Sequence, residues 1–308
     1  MEKEKACIGV DVGGTYIRVG ILKGSDTPLC FEKIPQGSVF KGRCPPKQLS
    51  AFLRDYMHRN GLTAENTGAC AVGMPSSIDQ SKRRVLSTPN IPAFENVDLA
   101  DLLERQLEIP VFLDRDVNMI YRHDRLLLKL PRKGIGIGCY FGTGIGNVVE
   151  VDGKLLAGKN GVACELGHVP VMGRHELCGC GNPGCYENYA SGRYITRLCK
   201  ERYPGESVYE VLTRRREDAC IQEFIDNIAV VIATEINIFD PHYVILGGGV
   251  LISRGFPQQA LIEALHGHVR KPYPDQGLTV YFSKNADESG VIGAALYARS
   301  QLKGGEKA

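Results

Sequence analysis

The feature that most constrains this fold is a short pattern that occurs twice in the chain. Each copy has an apolar, β-branched run, a glycine-rich turn that contains Thr, and a second apolar run. The first copy spans residues 6–22, with Gly13-Gly14-Thr15 as its turn, and the second spans residues 134–151. Glycine is favoured in tight turns between strands, so each copy predicts a β-hairpin. Two such hairpins predict a chain built from two similar halves.

Strand and helix patterns alternate after each hairpin. Apolar residues at helical spacing occur at 49–58, 99–107, 117–130, 221–236, 259–266 and 289–302, and buried-strand patterns at 68–72, 110–113, 243–246 and 278–282. This alternation favours the α/β class. We expect an N-terminal domain over residues 1–118 and a C-terminal domain over residues 119–288. The last helix, at about 289–302, is expected to return to the first domain.

Charge and hydropathy exclude several classes of protein. The 308 residues carry 37 Lys+Arg against 35 Asp+Glu, a formal charge of +2, and no block of like charges forms a basic arm or an acidic tail. No run of about 18 apolar residues occurs, and the first residues are charged where a secretory signal needs an apolar stretch. We therefore expect a cytoplasmic globular protein with neither a nucleic acid nor a membrane as its partner.

The two glycine turns suit the binding of phosphate. Glycines let backbone N–H groups approach an anion closely, and a Thr hydroxyl can add a further contact. A single such turn is usually a plain hairpin, but two of them could face one nucleotide. The candidate phosphate ligands are Gly13, Gly14, Thr15, Gly142, Thr143, Gly144 and Gly146, with Asp11 placed to hold Mg²⁺ directly or through water.

A third glycine run, Gly247-Gly248-Gly249, follows a predicted strand and precedes a helical pattern. A surface without Cβ atoms would let an adenine ring lie against the backbone, although the run could equally be a close-packing turn. The P-loop motif is absent, and no complete G-x-G-x-x-G stands at a strand-to-helix turn. P-loop and dinucleotide-binding folds are therefore disfavoured.

One imidazole and three thiols lie in a short segment, residues 168–187, which we call the zinc loop. His168, Cys178, Cys180 and Cys185 form the donor set that a tetrahedral structural Zn²⁺ requires. The alternative is a group of free or disulfide-bonded thiols. That alternative is disfavoured by the reducing cytosol and by the two-residue separation of Cys178 and Cys180.

Two carboxylates, Asp114 and Asp116, lie where the strand pattern at 110–113 gives way to helix. Ligands of α/β proteins bind at this edge, so either residue could act as a general base. Either could also be a helix N-cap, a position that Asp readily fills. The residues alone leave both interpretations open.

Taken together, the motifs resemble those of ROK-family sugar kinases over nearly the whole chain. The resemblance rests on Asp11-x-Gly13-Gly14-Thr15, Gly142-Thr143-Gly144-Ile145-Gly146, Glu165-Leu166-Gly167-His168 and Cys178-x-Cys180-Gly181-x-x-Gly184-Cys185-x-Glu187. The Cys motif with its upstream Glu-x-Gly-His is highly specific to that family. The glycine turns are shared by the wider actin-like superfamily.

The resemblance implies two ribonuclease-H-like (actin-like ATPase) α/β domains around a central cleft. It implies ATP with Mg²⁺ as phosphoryl donor, the 6-hydroxyl of a hexose as acceptor, and a homodimer. By position, Asp116 resembles the catalytic base. The residues that resemble sugar ligands are Asn90, Asp116, Glu165, His168 and Glu187. His168 would contact zinc as well as the sugar, and the zinc would be structural and remote from the phosphoryl group.

Two positions depart from the family pattern. Arg115 stands where Asn commonly precedes the catalytic Asp, and Ser76 stands where Gly usually follows Pro75. Both positions are expected near the sugar. Sugar-responsive repressors share the zinc motif but carry an N-terminal DNA-binding domain, and with six residues before Cys7 we do not expect a repressor. A non-enzymatic actin-like ATPase gives no reason for Glu165, His168 and Glu187.

Overall fold

The structure is a computed structural model that describes residues 4–42, 44–88, 91–284 and 287–304. The predicted sugar ligand Asn90 lies outside these residues. In chain order, the strands are β1 (Ala6–Val12), β2 (Tyr16–Leu22), β3 (Leu29–Pro35), β4 (Thr67–Met74), β5 (Ser77–Ile78), β6 (Val85–Ser87), β7 (Val111–Arg115), β8 (Ile135–Phe141), β9 (Ile145–Val151), β10 (Lys154–Leu155), β11 (Tyr243–Gly247) and β12 (Val280–Phe282).

Helices connect these strands and cover the sheets. They are α1 (Gln36–Val39), α2 (Pro45–Arg59), α3 (Leu99–Leu107), α4 (Asp116–Leu127), α5 (Glu187–Ala190), α6 (Gly192–Arg202), α7 (Val208–Arg214), α8 (Ala219–Phe239), α9 (Gly248–Leu251), α10 (Gln258–His268) and α11 (Ser289–Leu302). Short 3₁₀ turns occur at Pro92–Phe94 and Leu166–His168. Within the described ranges, none of the helices combines the length and apolar character that crossing a membrane requires.

The chain forms two compact units. The first comprises the described residues within Met1–Leu130, Ala157–Ala163 and Asn285–Ala308, and the second comprises Pro131–Leu156 and Cys164–Lys284. Each unit contains its own buried apolar core. The mixed α/β class expected from the alternating patterns is confirmed.

The five-stranded sheets of the two units have the same order. In the first unit the order is β3-β2-β1-β4-β7, and in the second it is β10-β9-β8-β11-β12. In each sheet, the hairpin strands pair antiparallel and the following two strands join in parallel. Parallel strands place their carboxyl ends at one edge of a sheet. In the first unit this edge carries the first glycine turn, Asp114 and Asp116, and in the second unit it carries the second glycine turn.

The domain boundary expected at residue 118 falls inside α4, whereas the first unit continues to Leu130. The reason is the close packing of α4 against the C-terminal helix α11. A Cβ built on Gly293 of α11 would lie 1.8 Å from the carbonyl oxygen of Met119 in α4. Similarly, a Cβ on Gly9 of β1 would lie 2.0 Å from the carbonyl oxygen of Val291. Glycine at these two positions lets α11 pack directly on the backbone of the first unit.

Candidate functional site

The first glycine turn (residues 13–15) connects β1 to β2 and is open. The N–H of Gly13 donates to the carbonyl oxygen of Tyr16 at 2.9 Å, which closes the turn. Gly14 and Thr15 are exposed, and a Cβ built on Gly14 would meet no heavy atom within 4 Å. The turn therefore has room on its outer side for a ligand.

Asp11 is the partly buried penultimate residue of β1, beside this turn. Its Oδ2 accepts from Nη1 of Arg18 at 3.1 Å. Burial raises the pKa of Asp11 to about 6, the carboxylate of Asp116 adds to this effect, and Arg18 opposes it. Two carboxylates that influence each other's ionisation form an anionic group next to the turn, and such oxygen ligands suit Mg²⁺.

Asp114 and Asp116 have different surroundings although both lie at the carboxyl end of β7, Asp114 within the strand and Asp116 directly after it. Asp114 is 1% exposed and contacts Nζ of Lys82 at 2.7 Å, Nη1 of Arg122 at 2.9 Å and Nδ2 of Asn118 at 2.8 Å. Burial would raise the pKa of Asp114, but Arg122 and Lys82 outweigh it and lower the pKa to about 2. Asp114 is thus charged at neutral pH and is held by Lys82 and Arg122.

Asp116 is the first residue of α4 and is partly exposed. Its Oδ1 accepts the N–H of Val117 at 2.7 Å. Burial raises the pKa of Asp116, and the hydrogen bond from Val117 and the charge of Arg115 only partly oppose the rise. A carboxylate with a raised pKa is a better proton acceptor than one held by two cations, so the geometry favours Asp116 over Asp114 as a base.

The two departures from the family pattern also lie in the first unit. Nη1 of Arg115 donates to the carbonyl oxygen of Ala163 at 2.8 Å, so this long side chain contacts the 157–163 segment. The hydroxyl of Ser76 is buried and has no hydrogen-bond partner among the described residues, and the same holds for the hydroxyl of Thr88. Ser77 pairs with Ser87 between β5 and β6, so Ser76 and Thr88 occupy the next positions along this ribbon.

In the second unit, the second glycine turn (residues 142–144) connects β8 to β9. The N–H of Gly142 donates to the carbonyl oxygen of Gly144 at 2.9 Å. The carbonyl oxygens of Gly142 and Thr143 accept the N–H groups of Gly192 at 2.7 Å and of Arg193 at 3.1 Å. The turn thereby satisfies two of the free N–H groups that begin helix α6.

The zinc loop contacts the same turn through Glu187. Oε2 of Glu187 accepts the N–H of Ile145 at 3.0 Å, and a Cβ built on Gly144 would lie 2.2 Å from that oxygen. Gly144 therefore has a packing reason to be glycine that the sequence analysis did not foresee. The prediction that Gly146 belongs to the turn is wrong, because Gly146 lies in β9 opposite Tyr140.

An open pocket of about 610 Å³ lies beside the second glycine turn. It brings Gly142 and Thr143 together with Gly249, so two of the glycine segments singled out in the sequence line one cavity. The remaining wall comes mainly from α6. The lining residues that sequence reasoning missed are Arg193, Thr196, Arg197 and Lys200, together with Gly192 and Val250. The four polar residues among them lie three and four positions apart along α6, and this spacing is the signal that could have identified them.

The triple glycine divides into two roles. A Cβ on Gly247 would lie 2.7 Å from the ring of Tyr140, and a Cβ on Gly248 would lie 2.5 Å from the backbone of Phe141. Gly248 also has a φ of +84°, which glycine adopts without strain. A Cβ built on Gly249 would meet no heavy atom within 4 Å, and Gly249 lines the pocket. The first two glycines serve the packing of α9 on β8, and only the third contributes surface to the pocket.

The predicted zinc ligands converge in the second unit. The donor atoms of His168, Cys178, Cys180 and Cys185 all lie within 4.8 Å of one another. Nδ1 of His168 is 3.6 Å from Sγ of Cys178, and the sulfurs of Cys180 and Cys185 are also 3.6 Å apart. A zinc tetrahedron with bonds of about 2.3 Å has edges of about 3.8 Å, so the spacing fits the ion.

The electrostatics of the thiols agree with this assignment. Burial, together with the neighbouring thiols, raises the pKa of Cys185 to about 12. A zinc ion bound beside Cys185 would lower this pKa and favour the thiolate. The N₁S₃ donor set suits zinc better than a hard oxygen-seeking cation.

The other nitrogen of His168 faces a carboxylate. Its Nε2 lies 3.8 Å from Oε2 of Glu165, so the ring lies between the thiol cluster and Glu165. The described sugar-ligand candidates are divided between the units. Asp116 belongs to the first unit, and Glu165, His168 and Glu187 belong to the second.

Comparison with known proteins places this architecture in context. The chain is 29% identical to the glucokinase of Thermotoga maritima, covering 96% of this chain and 98% of that protein. It is 27% identical to the N-acetyl-D-glucosamine kinase of Pectobacterium carotovorum, with 94% and 97% coverage. A ROK family glucokinase from Streptomyces griseus, solved in complex with glucose and AMPPNP, superposes with a TM-score of 0.74 at 26% identity, covering 96% of this chain and 99% of that one.

The family itself is identified by a sequence profile described as "ROK family", which matches residues 7–301. This range contains both glycine turns, Asp114 and Asp116, and the whole zinc loop. The family expected from the motifs is therefore confirmed, and the chain belongs to the ROK family.

Proposed function

We propose that this protein transfers the γ-phosphoryl group of ATP to the 6-hydroxyl of a hexose. The observation that carries the proposal is the contrast between the two carboxylates at the carboxyl end of β7. Asp114 is held by Lys82 and Arg122, whereas Asp116 is partly exposed with a raised pKa. Asp116 is the proposed general base, which takes the proton of the acceptor hydroxyl as the new bond to phosphorus forms.

The donor is assigned to the glycine turns. The pocket beside the second turn, lined by Gly249 and by the cations of α6, has the size and charge to hold a nucleotide. The open first turn offers Gly14 and Thr15 to phosphate oxygens. Asp11 is the proposed Mg²⁺ ligand, and the bound ion would neutralise charge on the phosphates. The S. griseus relative was solved with glucose and AMPPNP, which supports a nucleotide donor and a hexose acceptor.

The acceptor is assigned to the carboxylates and the imidazole. Asp116, Glu165 and Glu187 can each accept a hydrogen bond from a sugar hydroxyl, whereas His168, with Nδ1 directed at the thiol cluster, would donate one through its Nε2–H. Asn90 is proposed as a further ligand from its position in the sequence. Such polar groups discriminate strongly among sugars, because a wrong hydroxyl pattern leaves one of them unpaired.

We propose D-allose as the preferred hexose. Support comes from the resemblance of the whole sequence to bacterial D-allose kinase and from the replacements at Arg115 and Ser76. Arg115 offers only donors where Asn also offers an acceptor, and Ser76 adds a buried hydroxyl that lacks a partner within the described structure. Glucose, N-acetylmannosamine, fructose and N-acetylglucosamine are the alternatives, and the last is the substrate named for a relative.

The decisive experiment measures ADP release from ATP with a panel of sugars. The panel contains allose, glucose, mannose, fructose, N-acetylmannosamine and N-acetylglucosamine. We expect sugar-dependent ADP release, with the highest kcat/KM for allose. A clearly higher kcat/KM for glucose would overturn the assignment to allose, whereas ADP release that no sugar stimulates would overturn the kinase itself.

We also propose one structural Zn²⁺ per chain, bound by His168, Cys178, Cys180 and Cys185. Elemental analysis of protein purified without a chelator should give one zinc per chain. Cys185→Ser should abolish this zinc, because the four ligands leave no water in the coordination sphere and the loss of one thiolate opens it. A zinc-free native protein would contradict the assignment.

A further inference from the structure

The zinc loop, the second glycine turn and helix α6 are connected in a closed ring of contacts within the second unit. The first connection is Glu187, which accepts the N–H of Ile145 at 3.0 Å and packs against Gly144. Glu187 lies two residues after the zinc ligand Cys185 and begins α5. The loop therefore braces the end of the turn that enters β9.

The second connection leads from the turn to α6. The carbonyl oxygens of Gly142 and Thr143 accept the first N–H groups of the helix, at 2.7 and 3.1 Å. A Cβ on Gly192 would lie 2.4 Å from the carbonyl oxygen of Gly142, so turn and helix are in direct backbone contact. Any displacement of the turn must therefore move the start of α6 or break these bonds.

The third connection returns from α6 to the zinc loop. Both terminal nitrogens of Arg197 contact the carboxylate of Glu176, and Nη2 lies 3.0 Å from Oε2. The carbonyl oxygen of Glu176 accepts from Nδ2 of Asn188 at 2.8 Å and from the N–H of Gly184 at 2.9 Å. Glu176 is thus fixed in the loop and holds an arginine that lines the pocket.

From this ring we propose that the zinc loop sets the shape of the nucleotide pocket, with Glu187 and Glu176 as positioning residues. The inference rests on the proposed function in that the pocket holds ATP. It replaces the expectation that the zinc site is remote from the phosphoryl-binding elements, because the loop contacts the second glycine turn directly. A folded zinc loop would keep Gly142, Thr143 and Arg197 in place before nucleotide arrives, which lowers the ordering cost of binding.

The test measures AMPPNP binding by calorimetry with Mg²⁺ and without sugar, so that the proposed sugar contacts of Glu187 do not contribute. In the zinc-loaded protein, Glu187→Ala should raise the Kd for AMPPNP about 5- to 10-fold, since it leaves the Ile145 N–H without its acceptor. Glu187→Gln retains an acceptor oxygen and should change the Kd less than about 2-fold.

Glu176→Gln removes the charge that pairs with Arg197 and should raise the Kd about 2- to 4-fold, as expected for a partly exposed ion pair. Its matched control is Glu223→Gln. Glu223 pairs with Arg174 of the zinc loop at 2.8 Å, but from α8, and neither residue lines the pocket. The control should leave the Kd for AMPPNP unchanged.

Removal of zinc by a chelator should weaken AMPPNP binding at least as much as Glu187→Ala does, and re-addition of zinc should restore it. Circular dichroism before and after chelation tests whether the second unit stays folded. Unchanged Kd values in Glu187→Ala, Glu176→Gln and the zinc-depleted protein would overturn the inference and leave the kinase intact. Failure of the unaltered protein to bind AMPPNP would instead overturn the proposed function.

Discussion

The two glycine turns occupy equivalent places in sheets of the same strand order, yet their surroundings differ. The first turn is open, since a Cβ on Gly14 would meet no heavy atom within 4 Å. The second is braced, since Gly144 lies against the carboxylate of Glu187 and Gly142 caps helix α6. A repeated sequence pattern thus predicts a repeated backbone shape. It does not predict that the glycines are there for the same reason.

The difference extends to the units that carry the turns. Beside its open turn, the first unit presents two mutually repelling carboxylates, Asp11 and Asp116. The second unit surrounds its turn with the zinc loop and α6. We interpret the first unit as the source of the proton acceptor and the metal-binding carboxylate, and the second as a preformed nucleotide pocket. The following substitutions test this interpretation, from the largest expected effect to the smallest.

Asp116→Asn should lower kcat by about 100-fold or more, the usual contribution of a general base. Asn keeps the size of the side chain and its oxygen can still accept the N–H of Val117, so folding and AMPPNP binding should remain. Steady-state kinetics together with calorimetry separate these effects. Near-normal turnover, or loss of activity only through unfolding, would contradict the assignment of Asp116 as the general base and with it the proposed difference between the two units.

The two units also differ in how they hold a buried carboxyl group. In the second unit, burial raises the pKa of Glu235 to about 7, although Nδ2 of Asn147 donates to it at 2.6 Å and partly opposes the rise. Because this pKa is raised, neutral Glu235 contributes stability at a pH below the ordinary pKa of Glu, and that stability is lost as the pH rises through about 7. In the first unit, Arg122 and Lys82 lower the pKa of Asp114, so the stability that this carboxylate contributes is lost as the pH falls toward about 2.

The unaltered protein should therefore lose about 2 kcal/mol of its free energy of unfolding between pH 5 and pH 8, and Glu235→Gln should abolish this decrease. Urea unfolding at both pH values, monitored by circular dichroism, measures the difference. Asp114→Asn provides the opposite case, since it leaves Lys82 and Arg122 without their carboxylate and should destabilise at pH 7 by about 3 kcal/mol. Equal pH dependence in Glu235→Gln and the unaltered protein would contradict the assignment of a titrating Glu235.

Gly14→Ala and Gly144→Ala compare the turns directly. The methyl group at position 14 meets free space, so thermal stability should stay the same while the Kd for AMPPNP rises by about 5-fold, because the backbone can no longer approach a phosphate as closely. At position 144 the methyl group must displace Glu187, so stability should fall by about 1 kcal/mol and the Kd should also rise. Identical behaviour of the two variants would remove the distinction between an open and a braced turn.

Ser76→Ala should have the smallest effect on the stability of the protein. It removes a buried hydroxyl that no described residue satisfies, so the sugar-free protein should keep its Tm or gain slightly. If Ser76 binds a sugar hydroxyl, kcat/KM for the best hexose should fall about 3- to 10-fold, with no change for the deoxy sugar that lacks that hydroxyl. An equal fall for every deoxy analogue would exclude a specific role for Ser76.

Much of this protein is determined by its sequence. The hairpins, the alternation of strands and helices, and the long helix α8 follow from residue spacing, because each depends on neighbours within a few turns of backbone. The convergence of one imidazole and three thiols was predictable for the same reason. Three thiols lie within eight residues, Cys178 to Cys185, and His168 precedes them closely, so a short loop brings all four donors together.

Only the tertiary structure determines the different roles of residues that are of the same type. Asp114 and Asp116 are equivalent in sequence, and their difference comes from Lys82 and Arg122, which other elements bring to Asp114 alone. Gly144 is required by Glu187, and most of the pocket wall comes from α6, a helix without a recognised motif. Ionisation and close packing depend on which side chains folding places beside a residue, and a linear pattern records the residue but not those neighbours.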